Sequence, residues 1–199
     1  MSAKARLSPD ARKAQLLELG VRIFSERPYD ELSMDRIAEL AGVSKGLLYH
    51  YFPTKRAFYV ASLSEIADGI AEIIRSGPRQ RTGRHLRLGI LAFLGFVQDH
   101  RVIFQAVRGA GIGSDPEVAA VADRVRDAAY AVIMETAPGL PEMSPRLRVA
   151  IRGWIGLVEA ASLEWSERPG MERAELVELL VRALASLVQA SHETASVGA

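Results

Sequence analysis

A chain of 199 residues with 49% apolar and 25% charged side chains has ordinary globular usage and can bury a sizeable core. It has no cysteine, which excludes disulfides, thiolate zinc sites, iron–sulfur clusters and thiol nucleophiles. The net charge of +1 conceals a split: residues 1–60 carry ten Lys/Arg against seven Asp/Glu, and residues 61–199 carry fifteen against seventeen. All four lysines (Lys4, Lys13, Lys45, Lys55) lie in the first part, which suggests an anionic partner there. The longest apolar run, Leu88–Val97, has ten residues, short of the roughly 20 that span a bilayer. No apolar run follows Met1, so a cytoplasmic protein without a membrane partner is expected.

Apolar residues recur at three and four throughout, and breakers punctuate the segments. A first helix is predicted from Ser8 as N-cap with Pro9 at its first position, carrying Leu17, Val21 and Phe24 on one face and stopping before Pro28. Ser33 caps a short second helix that presents Met34, Ile37 and Ala41 and ends at Gly42. Ser44 caps an equally short third, which reaches Phe52 before Pro53. Thr54 opens a fourth, running to about Ser76. After a basic connector (Arg75, Arg79, Arg81, Arg84, Arg87) come helices over about Thr82–Asp99 and His100–Arg108. Asp115-Pro116 opens a long helix closed by Pro138-Gly139, and Ser144-Pro145 opens another closed by Pro169-Gly170. The last runs from about Glu172 to Gln189. The fold class is all-α, with about nine helices.

The informative stretch is Ser33–Phe52. Ala38, Gly42 and Leu48 have the spacing of a helix-turn-helix: a small residue where the helices cross, a glycine for the left-handed turn and an aliphatic plug. Core packing accounts for Leu48 and Phe52 but not for Lys45, Gly46, Tyr49 and His50. Helix N-terminal amides, lysine and hydroxyl donors suit phosphates, and residues at the helix start reach base edges. The candidate DNA contacts are Ser33, Ser44, Lys45, Gly46, Leu47, Tyr49, His50, Tyr51 and Lys55, with Lys4 and Arg6 adding salt-sensitive affinity from an N-terminal arm.

Residues 14–60 resemble the DNA-binding domain of the TetR family of bacterial transcriptional regulators. Phe24, Ile37-Ala38, Ala41-Gly42-Val43-Ser44, Lys45-Gly46, Leu48-Tyr49, Tyr51-Phe52 and Lys55 carry the resemblance. Pro28 departs from the family's frequent glycine and Leu47 from its common hydroxyl residue, so Leu47 trades a phosphate contact for an apolar one with a thymine methyl. The resemblance implies an N-terminal three-helix helix-turn-helix domain over 1–54 and a C-terminal ligand-binding and dimerisation domain over 55–199. It also implies a homodimer reading an inverted-repeat operator in duplex DNA, and a repressor released when a small effector binds. An activator or protein-partner-controlled regulator without an inducer is the alternative; a more distant one is an enzyme using the C-terminal helices.

The last helix is apolar over more than one core face, which points to a dimer through Gly156, Ala160, Val177, Val181, Leu184 and Val188. Candidate walls of an effector pocket are Phe93, Phe96, Phe104, Tyr130, Met134, Trp154 and Val158. Arg108, Glu159 and Ser162 are candidate polar handles, and nothing in the sequence decides between Arg108 and Glu159. Such walls suit an apolar or aromatic effector with one polar end. Gly109, Gly111 and Gly113 imitate a phosphate loop, but no strand precedes them and a connector before Asp115 is the simpler reading. The histidines show no metal-ligand spacing. No metal, cofactor or catalytic residue is expected.

Overall fold

The computed structural model describes residues 7–76, 83–109, 111–136, 144–168 and 170–192. They form nine α-helices: α1 (Pro9–Glu26), α2 (Met34–Ala41), α3 (Lys45–Tyr51), α4 (Lys55–Ser76), α5 (Gly83–Asp99), α6 (Arg101–Arg108), α7 (Pro116–Thr136), α8 (Pro145–Glu167) and α9 (Arg173–His192). Short 3₁₀ turns lie at Tyr29–Glu31 and Gly111–Ser114. Hydroxyl caps set several starts. Ser8 Oγ accepts the Ala11 amide (3.2 Å), Thr54 Oγ1 the Ala57 amide (3.0 Å) and Ser144 Oγ the Leu147 amide (3.1 Å), each satisfying a donor that the first helical turn leaves open. Asp115 Oδ1 does the same for Glu117 at the start of α7 (2.9 Å). Lys4, Arg6, Arg79, Arg81, Pro138-Gly139 and Pro169 lie outside the described residues.

The chain folds as two compact units, residues 1–69 with 100–122 and residues 70–99 with 123–199. This division runs through α4 and gathers α6 with the N-terminal helices, so packing divides the chain elsewhere than at 54/55. The reason is visible in the first unit. α6 lies on α1, and His100, its N-cap residue, meets Ser25 at 2.7 Å. Ser25 Oγ donates its one hydrogen to the Val21 carbonyl (2.7 Å), so His100 Nδ1 is the donor to Ser25.

The buried face of α1 is Leu16, Gly20, Ile23 and Phe24, not the Leu17–Val21–Phe24 face expected; Leu17 and Val21 are half-buried. Gly20 shifts the register. A β-carbon there would stand 2.6 Å from Phe58 Cζ, so α1 and α4 approach along a line that only this glycine opens. Phe24, Tyr29, Phe52, Phe58 and Tyr59 fill the space beside it, with Phe24 and Tyr59 edge to face at 4.8 Å between centroids.

The second unit packs α5, α8 and α9 together around Ile90, Leu94, Ile133, Leu147, Ile151, Trp154, Leu176, Leu180 and their neighbours. Trp154 Nε1 donates to the Leu180 carbonyl (2.8 Å), and Arg87 makes a two-pronged bond to Glu178 (2.5 and 2.9 Å). These tie α9 to α8 and to α5. Among the described residues no single helix is long and apolar enough to cross a membrane.

Candidate functional site

α2 and α3 meet at Gly42, whose φ of 64° is the left-handed conformation that side chains resist. The Val43 amide closes the turn on the Ala38 carbonyl (3.0 Å). Ala38, Leu48 and Phe52 are buried, which fixes α3 with its other face outward. On that face Ser44, Lys45, Gly46, Tyr49 and His50 are exposed, while Leu47 and Tyr51 are half-buried. Tyr49 leaves 41% of its surface to solvent. Ser33 and Ser44 accept the Arg36 and Leu47 amides (3.1 and 3.2 Å). Both hydroxyls therefore serve as caps first, keeping a hydrogen to donate. Nothing lies within 4 Å of where a β-carbon on Gly46 would stand, so the protein itself does not require a glycine there.

Lys45 carries a contact that sequence spacing did not show. Its Nζ lies 2.6 Å from Asp35 Oδ1 on α2 and 5.8 Å above the Tyr49 ring. The Asp35 hydrogen bond raises the Lys45 pKa, so the ammonium stays charged on an open surface.

Lys55 was expected to reach DNA, and the geometry assigns its charge elsewhere. Its Nζ donates to the carbonyls of Tyr29 (3.0 Å) and Leu32 (2.8 Å) and sits 3.9 Å over the Tyr29 ring. The Tyr29 carbonyl already accepts the Leu32 amide that closes the 3₁₀ turn (3.2 Å), and the lysine at the start of α4 adds a second donor to it and one to the Leu32 carbonyl. The next residue, Arg56, grips Asp115 with Nε and Nη2 (2.6 and 2.8 Å) and reaches Glu117 (3.1 Å). Arg56 holds the Asp115 carboxyl below its ordinary range, chiefly through that hydrogen bond.

In the second unit a cavity of about 90 Å³ opens between α5, α7, α8 and the end of α4. Of the residues expected there, Phe93, Trp154, Val158 and Glu159 line it, beside Ile74, His85, Leu86, Gly89, Ile90, Val125, Arg126, Ala129, Val132, Ile133 and Ile155. The others lie elsewhere. Phe96 rests against Phe93 (6.3 Å between centroids) without reaching the cavity. Tyr130 lies under the Arg152 guanidinium (4.6 Å). Met134 packs on the core, and Ser162 is buried with its hydroxyl donated to the Val158 carbonyl (2.6 Å). Phe104 and Arg108 are on α6, in the other compact unit. Arg126, which the sequence reading did not single out, also lines the cavity. It donates to Glu159 through Nε (2.8 Å) and Nη2 (3.1 Å), and to Asp123 through Nη1 (2.9 Å). Its place one residue after Val125 in the apolar series Val125, Ala129, Val132 was the available signal. Among the described residues no group of three or more His, Asp or Glu could hold a metal.

The profile of the tetR family of bacterial regulatory proteins matches residues 16–68. That of the tetracyclin repressor-like C-terminal domain matches residues 82–187, more than half of the chain. The chain belongs to the TetR family. It is similar to the transcriptional activator FasR of Mycolicibacterium smegmatis, with 37% identity over 50% of this chain and 48% of that protein. It is also similar to the regulator RutR of Escherichia coli, with 39% identity over 34% of this chain and 32% of that one. These alignments span half or less of the relatives' own length. A TetR-family regulator of known structure from Streptomyces coelicolor superposes with a TM-score of 0.84 at 35% identity, over 93% of this chain and 83% of that one. FadR of Bacillus subtilis, solved with stearoyl-CoA, shares the fold at a TM-score of 0.62 and 18% identity, over 88% and 97%.

TetR-family regulators dimerise, and the residues expected to do so here need correction. Val177 and Leu184 are buried in the core of the second unit, and Val181 and Val188 are half-buried. Val177 and Leu184 therefore cannot also face a partner, whereas Val181 and Val188 keep part of their surface exposed. The uniformly apolar α9 needed two buried faces within one chain, because α5 and α8 both pack on it. Gly156 and Ala160 are exposed, as are Gly153, Val149 and Leu157 on α8 and Leu179 and Leu187 on α9.

Proposed function

We propose that this TetR-family chain is a cytoplasmic homodimeric transcriptional regulator, not an enzyme, that reads an inverted-repeat operator with α3. The observation that carries it is the outward face of α3: Lys45, Gly46, Tyr49 and His50 are exposed and take no part in the core, with Lys45 held in place by Asp35 of α2. Base edges are reached from the start of such a helix, and Lys and Tyr add phosphate contacts. Lys45→Ala and Tyr49→Phe are expected to weaken binding to operators selected from random duplexes, by about tenfold or more where a base contact is lost. Unchanged affinity in both variants would remove α3 from the interface.

The dimer in this reading uses the exposed small and apolar residues of α8 and α9, with Gly153, Gly156 and Ala160 allowing close helix approach. An effector is taken up between α5, α7 and α8. As it stands, the cavity of about 90 Å³ is well below the roughly 300 Å³ of an ordinary ligand pocket. An effector of normal size therefore binds a widened conformation, and it releases DNA to the extent that it prefers that conformation. The small cavity equally favours a second reading, regulation without a small effector. Calorimetric titration with a panel of apolar compounds, together with operator-release assays, separates the two.

A further inference from the structure

Lys45 is the only lysine or arginine on α3, and two neighbours fix where its charge stands. Asp35 Oδ1 lies 2.6 Å from its Nζ, and the Tyr49 ring, one turn along α3, has its centroid 5.8 Å away. Both side chains of the ion pair are more than half exposed, 58% and 61%, and a pair so open to water adds little to stability. Asp35 has no capping duty either, because Ser33 accepts the Arg36 amide at the start of α2. Arg36, the one cation of α2 itself, is paired with Glu39 at 2.9 Å.

What the Asp35 contact changes is the reach of the ammonium. A free lysine swings on a flexible four-carbon stem and takes whichever phosphate lies nearest, on any sequence. Held by Asp35, Nζ stands at one place relative to α3 with two of its three hydrogens left to donate. A phosphate that approaches from the other side meets the Asp35 carboxylate. Only a duplex seated in one register brings an acceptor to that place. Resting on the reading of α3 as the helix that contacts DNA, we infer that Asp35 is a positioning residue for operator recognition. By holding Lys45 it lowers affinity for arbitrary duplex DNA more than for the operator, and so sets the ratio between the two.

The full-length protein is titrated with two duplexes, an operator selected from random sequence and a shuffled duplex of the same length and composition. Asp35→Asn should raise affinity for the shuffled duplex by roughly five- to tenfold near 0.1 M salt, the counterion-release value of about one phosphate, and steepen its salt plot by about one unit. Operator affinity should change less, so that the ratio falls by about threefold or more. Glu39→Gln removes one negative charge from the same helix without freeing Lys45, and should leave the ratio as it is. In a Lys45→Ala background, Asp35→Asn should no longer lower the ratio. Equal gains on both duplexes, no gain on either, or the same fall in Glu39→Gln or in the Lys45→Ala background would overturn the inference. The α3 reading stands in those cases as long as Lys45→Ala and Tyr49→Phe weaken operator binding; if neither does, both fail. Asp35→Ala, which puts a stronger helix former in α2, makes the same test should Asp35→Asn melt early.

Discussion

In the unit formed by residues 1–69 and 100–122, polar atoms are used to hold irregular backbone. Lys55 satisfies the turn between α1 and α2, and Arg56 holds the N-cap of α7. Five aromatic rings close the space between them. In the unit formed by residues 70–99 and 123–199, the core is mainly aliphatic, and polar side chains tie regular helices to one another: Arg87 to Glu178, Arg126 to Glu159, Trp154 to the backbone of α9. That core leaves room for a cavity. Under the function proposed above the difference follows the work: a reading helix must keep its angle to its neighbours, whereas helices that would admit an effector must be able to part without losing their connections.

The comparison breaks most severely at Leu184. It is 6% exposed, so Leu184→Glu buries an unpaired charge and should cost about 4 kcal/mol or more, melting the second unit in circular dichroism. Leu179 on the same helix is 54% exposed. Leu179→Glu should leave the melt nearly unchanged and shift sedimentation toward monomer. If the two variants behave alike, the proposed dimer face is wrong.

Lys55 and Lys45 sharpen the contrast between a structural and an interfacial cation. Lys55→Met removes a charged donor from two carbonyls and should cost about 2 kcal/mol of stability, without altering the salt dependence of DNA binding. Lys45→Ala should do the reverse, making the plot of log affinity against log salt shallower by about one unit. Filter binding across salt concentrations and chemical denaturation check both.

Tyr59 gives a smaller effect of opposite sign. The residue is 1% exposed and, among the described residues, its hydroxyl has no hydrogen-bond partner; burial also pushes its pKa up. Tyr59→Phe should therefore stabilise the protein by about 1 kcal/mol, read as a higher urea midpoint.

The smallest effect is at Asp115. Its pKa is held below the ordinary 3.8 in the folded protein, so its contribution is fully present above that value and is lost as pH falls through the lower folded one. The stability gap between wild type and Asp115→Asn should narrow on acidification below pH 3.8, and stay constant between neutral pH and pH 6.

Most helix boundaries were legible because they are set locally. A serine or threonine one residue before a helix, a proline at its first position and Gly42 at a turn each act within four residues of where they stand. The helix-turn-helix was legible for the same reason. The roles of Lys55, Arg126 and Leu184 were not, since each depends on a partner outside its own helix. Lys55 meets Tyr29 and Leu32 across 26 and 23 positions, and Arg126 meets Glu159 across 33. A lysine bound to backbone carbonyls and one paired with a carboxylate on an open surface look identical in sequence. So do a leucine in a core and one at an interface.

Gly113 carries a consequence for how the chain tolerates change. It lies in the 3₁₀ turn after α6, and a β-carbon there would run into the Ala106 carbonyl oxygen and stand 2.8 Å from that of Val107. Backbone atoms cannot swing aside as a side chain can. The glycines that imitate a phosphate loop thus include one whose task is to let the chain fold back over the end of a helix. In a library covering every substitution, position 113 should lose all nineteen alternatives, alanine included, while Gly46, with open space around it, should lose them only when the selection requires operator binding.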